Sequence, residues 1–239
     1  MATITVGELF QTLSEGPLSG LSMSNEGNGS IEDGSHNKLI NYANDGLVRL
    51  YTKFLIKESE LILEMQPYRT RYEIDSRYSF SGHKAGSEDP VYIIDHGSPY
   101  QNDLIKITQV FLLGKCRDVA FPLNDPERSD SLFTPKPNEL QVPNPVLGTA
   151  LSVSYQAKHP KLPYDNLDTQ IYIPDGLIEA LTSFISSKVF SHMNGAENTM
   201  KGQEHLADFN NLCNEAMQSD SVGMTYPTTN TLFDRRGWV

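Results

Sequence analysis

The segment Thr149-Ala-Leu-Ser-Val-Ser-Tyr-Gln-Ala157 carries the strongest fold signal in this chain, because apolar and polar residues alternate from Leu151 to Ala157. Residues two apart lie on the same face of a β-strand, so the alternation predicts a strand with one buried face. The other face is then solvated or paired with a partner. The apolar set is Leu151, Val153, Tyr155 and Ala157, and the polar set is Ser152, Ser154 and Gln156.

Further strands are predicted on both sides of this segment. Each is a short run of β-branched or aromatic residues bounded by Pro, Gly, Ser or Asp. The runs are Leu61–Met65, Thr70–Ile74, Val91–Ile94, Leu104–Leu113, Ser131–Thr134 and Gln170–Ile173. The stretch 121–145 is rich in proline, which favours turns and edge strands there.

Helical periodicity replaces the strand pattern towards the N-terminus. Apolar residues recur at i, i+3, i+4 and i+7 over Val6–Leu13, and Thr5 with Glu8 fits a capping box. A second amphipathic helix of about 20 residues is predicted to begin at a Ser35 cap and to end near Phe54. Gly46 lies in the middle of that helix and indicates close packing.

Two more helices are predicted after Pro174, and the Asn194-Gly195 pair between them favours an antiparallel hairpin. The stripe of the first of these helices is marked by Leu177, Ile178, Leu181, Phe184, Ile185, Lys188 and Met193. The second helix carries Met200, Leu206, Phe209, Leu212, Cys213 and Ala216.

This order of elements predicts an α+β fold in which a helical bundle contains an inserted antiparallel β region. The predicted divisions are N-terminal helices at 1–57 with an exposed loop at 18–34, a β-rich region at 58–173, a helical hairpin at 174–217 that completes the bundle, and an extended C-terminal tail at 218–239. The loop is rich in Ser, Gly and Asn, and composition of that kind does not order itself alone.

Composition excludes several classes of protein. The 239 residues include 19 Lys and Arg against 30 Asp and Glu, a net charge of −11, which gives no support for general nucleic-acid binding. No apolar run approaches the ~20 residues of a membrane span, and the N-terminus is unlike a signal peptide. The two cysteines, Cys116 and Cys213, do not form a disulfide framework and are expected to pack as small apolar groups.

No catalytic, cofactor or metal site is predicted. Phosphate-binding glycine motifs, His-Glu-x-x-His and Gly-x-Ser-x-Gly are missing from the sequence, and the six histidines are scattered. Asp95-His96-Gly97-Ser98 holds an acid, a base and a hydroxyl, but adjacent residues do not build a catalytic triad, so it is interpreted as a turn. Asn124–Asp130 lacks the spacing of a calcium loop and is interpreted as an Asx-stabilised turn.

The order and spacing of several segments resemble the head-to-tail adaptor (connector) proteins of tailed, above all short-tailed, bacteriophages. The resemblance covers about residues 3–217, and no single segment is diagnostic. The matching segments are Thr5–Phe10, Leu39–Leu47 with its Asn-Asp-Gly core, Leu104–Leu113 followed by Phe121–Asp125, Leu151–Tyr155, Ile173–Leu177, and a closing hairpin with Ala196 and Glu197 after its turn. Phe184–Lys188 and the long loop at 18–34 depart from the family pattern.

The resemblance implies a structural virion protein and not an enzyme. Copies would form a ring, typically a dodecamer, at the head–tail junction between the portal protein and the tail nozzle protein, after assembly in the host cytoplasm. Tail fibre proteins are additional candidate partners, and no membrane is involved. The resemblance also places the C-terminal tail at the portal, through Phe233, Arg235, Arg236 and Trp238. Arg and Trp are common in interface hot spots, whereas a frayed terminus is the alternative interpretation of the tail.

The excess of acidic residues suits a DNA channel that the genome passes through without being bound. A lining of acids such as Glu179, Glu197, Glu204 or Asp208 would repel the phosphates of a duplex. Three alternatives remain open: another tail component such as a nozzle or completion protein, a phage-encoded hydrolase, and a cytoplasmic regulatory protein.

Overall fold

The structure, a computed structural model, describes residues 3–21, 24–25, 30–84, 86–96, 98–113, 120–219 and 222. The α-helices are α1 (Val6–Glu15), α2 (Asp33–Lys53), α3 (Ile178–Ser191) and α4 (Ala196–Gln218). The strands are β1 (Thr3–Thr5), β2 (Ser24–Asn25), β3 (Ser30–Ile31), β4 (Glu58–Glu64), β5 (Arg71–Glu73), β6 (Ile93–Ile94), β7 (Leu104–Leu112), β8 (Phe133–Lys136), β9 (Glu139–Gln141), β10 (Ala150–Ala157) and β11 (Gln170–Tyr172). All strand pairs are antiparallel within these residues, so the predicted α+β class is confirmed.

The described chain divides into two units. A helical unit takes in the chain up to Ile56 and again from His159 onward, and a β unit comprises Lys57–Lys158. The observed β unit therefore ends before the predicted limit at residue 173. Strand β11 accounts for the difference, because it pairs with β1 and so belongs to the helical unit.

The helical unit begins with the capping box that the sequence predicts. Thr5 Oγ1 accepts the backbone N–H of Glu8 at 3.1 Å, and the Glu8 carboxylate accepts the backbone N–H of Thr5 at 2.8 Å. The predicted Ser35 cap of α2 is wrong: the helix begins at Asp33 after an N-cap at Glu32 that makes no side-chain cap bond. Ser35 lies inside the first turn and donates its backbone N–H to the Glu32 carbonyl.

Part of the predicted loop at 18–34 contributes to the helical unit. Leu18 and Ile31 are buried, strands β2 and β3 pair with each other, and α2 already begins at Asp33. Isolated apolar residues within a polar run are therefore enough to attach this segment to the core.

Two small sheets build the β unit. The first has the strand order β6-β4-β10-β7, and the second has the order β5-β9-β8. Residues of both sheets share one apolar core, in which the Tyr72 and Tyr92 rings meet edge to face. The buried set includes Leu61, Leu63, Tyr72, Tyr92, Ile93, Val110, Leu140, Leu151, Val153 and Tyr155.

Strand β10, which contains the alternating segment Leu151–Ala157, is central in its sheet and is buried more completely than its pattern predicts. Leu151, Val153, Tyr155 and Ala157 are buried as expected, but Ser152 and Gln156 on the polar face are buried as well. Ser152 donates its hydroxyl hydrogen to the Glu60 carboxylate of neighbouring β4 at 2.5 Å. Neighbouring strands on both sides thus cover polar positions that an isolated strand would leave in water.

Candidate assembly surface

Helix α3 is the centre of the helical unit, and two glycines allow its neighbours to approach it. A Cβ atom on Gly46 of α2 would lie 2.7 Å from Leu181 Cδ1 and 2.9 Å from Phe184 Cδ1. A Cβ atom on Gly202 of α4 would lie 2.6 Å from Ser191 Oγ. The close packing inferred at Gly46 is confirmed. Since α3 has neighbours on several sides, even its Ser186 and Ser187 are buried, each bonded to a carbonyl of its own helix.

Helix α4 forms the predicted antiparallel hairpin with α3, but it buries only a narrow stripe. Gly202, Phe209, Cys213 and Ala216 are buried, and the Phe209 ring packs 5.3 Å from that of Phe184. Met200 and Leu206, which the sequence assigns to the apolar residues of this helix, are 62% and 40% exposed. On the helical wheel Met200 is roughly 170° from the centre of the buried stripe, and Leu206 is about 50° from it, at the edge of the stripe.

The exposed side of α4 contains a face without charges, which we call the neutral face. Met200, Leu206 and Met217 are large apolar residues exposed there. At 3.6 residues per turn the neutral face spans about 120° of the helix. Its members are Thr199, Met200, Gln203, Leu206, Ala207, Asn210, Asn214 and Met217. Half of these residues are polar, but three large apolar side chains exposed on one uncharged face favour a surface that becomes covered.

All the carboxylates of α4 lie on a second face, which we call the acidic ridge. Glu197, Glu204, Asp208 and Glu215 cluster within about 60° of the helix circumference. Glu197 pairs with Lys201 at 2.8 Å, and this bond lowers the pKa of Glu197. Among the described residues, Glu204 and Glu215 form no ion pair. The ridge thus presents uncompensated negative charge to the surroundings.

A groove of about 430 Å³ runs between α2 and α4 beside the neutral face. It is lined by Val48, Arg49, Thr52, Lys53, Phe209 and Asn210. Burial raises the pKa of the nearby Cys213 thiol, and the positive charge of Lys53 opposes that shift. Neither Arg49 nor Lys53 pairs with a carboxylate within the part of the chain that the structure describes. The groove is therefore both apolar and positively charged.

The β unit holds polar clusters whose hydrogen bonds are structural. Asp95 accepts hydrogen bonds from the hydroxyl and backbone N–H of Ser81 and from the backbone N–H of Tyr100. Burial alone would raise the pKa of Asp95, but these hydrogen bonds outweigh that effect, so the pKa lies below its ordinary value. His96 packs against the Phe80 ring. The acid of the Asp95–Ser98 sequence thus has its oxygens bonded to backbone and hydroxyl donors.

Asp103 is a second, half-buried acid of the β unit, and it too is bonded to protein partners. Its carboxylate accepts a hydrogen bond from Tyr155 Oη at 3.0 Å and pairs with Lys57 Nζ at 3.3 Å. Burial raises the pKa of Tyr155, and the Asp103 charge adds to that shift. This arrangement holds β4, β7 and β10 together at one end of the sheet.

The other candidates from the sequence can now be placed. In the turn 124–130 the Asp125 carboxylate accepts the backbone N–H of Glu127, and Arg128 binds Asp130 through two nitrogens. The described residues contain no cluster of three metal-ligating side chains and no helix that could span a membrane. Phe233, Arg235, Arg236 and Trp238 of the tail, and Cys116, lie outside the described residues.

Comparison with known proteins finds no matching family model and no matching curated protein.

Proposed function

We propose that this chain is a head-to-tail adaptor of a tailed bacteriophage, a structural protein of the virion. In this function copies of the chain form a ring, typically of twelve, between the portal and the tail nozzle and surround the DNA channel. The order of segments that resembles the adaptor family motivates the proposal, and the α+β fold is compatible with it.

The neutral face of α4 is the observation that carries the proposal. Met200, Leu206 and Met217 are exposed along a 23-residue helix, on a face that carries no charge to hold water. A subunit of a ring has such a surface because its neighbours cover it. An enzyme would instead need free acids or bases in a cleft. Asp95 and Asp103 do line a cavity of about 670 Å³ in the β unit, but both are held by hydrogen bonds from the protein itself.

The charge of the chain also supports a conduit for DNA. With a net charge of −11 the protein repels phosphates, so a genome could slide through the ring without forming ion pairs that must then be broken. We expect assembled rings to leave duplex DNA unbound at physiological salt, as measured by a filter-binding or mobility-shift assay. Tight retention of the duplex would contradict this function.

The proposed portal contact is tested in the full chain. Arg235→Ala, Arg236→Ala and Trp238→Ala are combined, and co-sedimentation with a candidate portal protein is measured. We expect loss of binding, since Arg and Trp side chains contribute strongly to interfaces. The control variant carries Lys38→Ala and Lys161→Ala, which remove an equal number of positive charges, two, from exposed positions of the helical unit. Equal binding by the tail variant and the wild type would refute the assignment of the tail to the portal.

Another tail component, such as a nozzle or completion protein, is the second candidate within the same class. The neutral face suits any protein that assembles from several copies. Binding to the portal distinguishes the adaptor from these components.

A further inference from the structure

Two oppositely charged surfaces of the helical unit lie on different sides of α4. On the helical wheel, the acidic ridge at Glu204, Asp208 and Glu215 is roughly 140° from Asn210, the exposed α4 residue that lines the groove. A single partner molecule lying on one side of the helix would not contact both surfaces. Two neighbours on opposite sides would.

We infer that copies of this chain associate head to tail, with the acidic ridge of α4 in one copy lying in the groove between α2 and α4 of the next. The inference rests on the proposed function, because it names the surfaces that would join subunits in the ring. Contacts between two different surfaces are heterologous, and they close into a ring when the rotation between neighbours is suitable.

The spacing of the charges fits this pairing. Arg49 and Lys53 are four residues apart on α2, and Glu204 and Asp208 are four residues apart on α4, so each pair spans about 6 Å along its helix. Arg49 is held over the Phe184 ring, with its guanidinium carbon 5.0 Å from the ring centroid. Its position is thus fixed before a partner arrives.

Apolar contacts next to the charges complete the surface. Val48, which lines the groove, is 46% exposed, and Leu206, four residues before the lining residue Asn210 on α4, is 40% exposed. The ridge itself consists of carboxylates and Asn211 and offers no large apolar side chain in return. Charge therefore selects the partner helix. This pairing places Glu204 and Asp208 between subunits and not along the channel.

Charge reversal on each surface tests the inference. The groove variant carries Arg49→Glu and Lys53→Glu, and the ridge variant carries Glu204→Lys and Asp208→Lys. Sedimentation velocity of the purified full chain is measured over increasing concentration, at about 0.1 M and about 1 M salt. We expect each variant alone to associate at least about tenfold more weakly than the wild type. Wild-type association weakens at high salt, because the screening length falls from about 10 Å to about 3 Å.

Mixing the two variants separates a specific pairing from a folding defect. In an equimolar mixture the ridge of one variant meets the groove of the other with opposite charges at every contact, so association returns to near the wild-type strength. Lys38→Glu with Lys161→Glu carries the same change in net charge as the groove variant, lies outside both surfaces, and is expected to associate like the wild type.

Variants that associate like the wild type, a mixture that does not recover, or a wild-type chain that is monomeric up to its solubility limit would each overturn the inference. None of these results bears on portal binding, which tests the adaptor function separately. A chain that binds the portal but fails these tests retains the proposed function and assembles through other surfaces.

Discussion

Substitution of Gly202 by alanine tests how closely the two helices of the hairpin approach each other. An added Cβ would lie 2.6 Å from Ser191 Oγ, 3.0 Å from the Ser191 backbone nitrogen and 3.2 Å from the Ser187 carbonyl oxygen. The hydroxyl can rotate away, but the two backbone atoms can move only if α3 and α4 separate. Overpacking of this kind costs about 1–3 kcal/mol, and alanine regains up to ~1 kcal/mol of helix propensity. Because the obstacle is backbone, we expect Gly202→Ala to lower the free energy of unfolding by about 1–2 kcal/mol.

Gly34 provides the matched control, since it is also in a helix and no atom lies within 4 Å of its added Cβ. Gly34→Ala is therefore expected to stabilise the protein, by up to ~1 kcal/mol. Urea unfolding followed by circular dichroism at a helical wavelength measures both variants, and an unchanged m-value is required for the comparison. A Gly202→Ala variant as stable as the wild type would refute the close approach of α3 and α4.

Two further predictions concern buried polar groups. Asp95→Asn should destabilise the protein by about 1–3 kcal/mol at pH 7, because it removes the charge that accepts hydrogen bonds from Ser81 and Tyr100. The pKa of Asp95 is lowered from its ordinary 3.8, so this stability is present above about pH 4 and is lost as the pH falls through the folded-state pKa. Urea unfolding of the wild type and of Asp95→Asn at several pH values checks that the difference between their free energies of unfolding shrinks in acid. The Tyr51 hydroxyl donates a hydrogen bond to the Tyr172 carbonyl, and burial raises the pKa of Tyr51 to about 12. Tyr51→Phe should therefore lower the free energy of unfolding by about 1–3 kcal/mol, measured by urea unfolding. An unchanged midpoint would contradict this hydrogen bond.

Local patterns in the sequence predict local structure well. Thr5 and Glu8 form the capping box, Gly46 marks a close approach of helices, and the alternation around Val153 produces a strand. The capping box and the strand depend on residues within one helix turn or one strand, where spacing alone fixes which side chains share a face. Gly46 marks the position of a close approach in the sequence, but not the helix that approaches it.

Long-range pairing is what the sequence does not disclose. Strand β1, only three residues long, forms because it pairs with β11, more than 160 residues later in the chain. Likewise Ser152 is buried because neighbouring strands cover it, and its hydroxyl donates a hydrogen bond to the Glu60 carboxylate of one of them. Such burial depends on which strands become neighbours and not on the residues of one strand.

The candidate assembly surface, too, could be predicted from the sequence only in its local features. The apolar content of α4 is visible in the sequence, but the sequence does not separate Met200 and Leu206 from the apolar residues that pack on α3. Only the position of α3, fixed by Gly202 and Phe209, shows that they lie on the neutral face. The grouping of Glu204, Asp208 and Glu215 on one side could have been found from their helical spacing alone.

The adaptor function is tested most directly by the mass of the purified chain, measured by light scattering alone and then with a candidate portal protein. We predict a ring of about a dozen copies on the portal, whether or not the chain also forms rings alone. A chain that stays a monomer or dimer and ignores the portal would contradict the adaptor function and would return attention to a search for an active site.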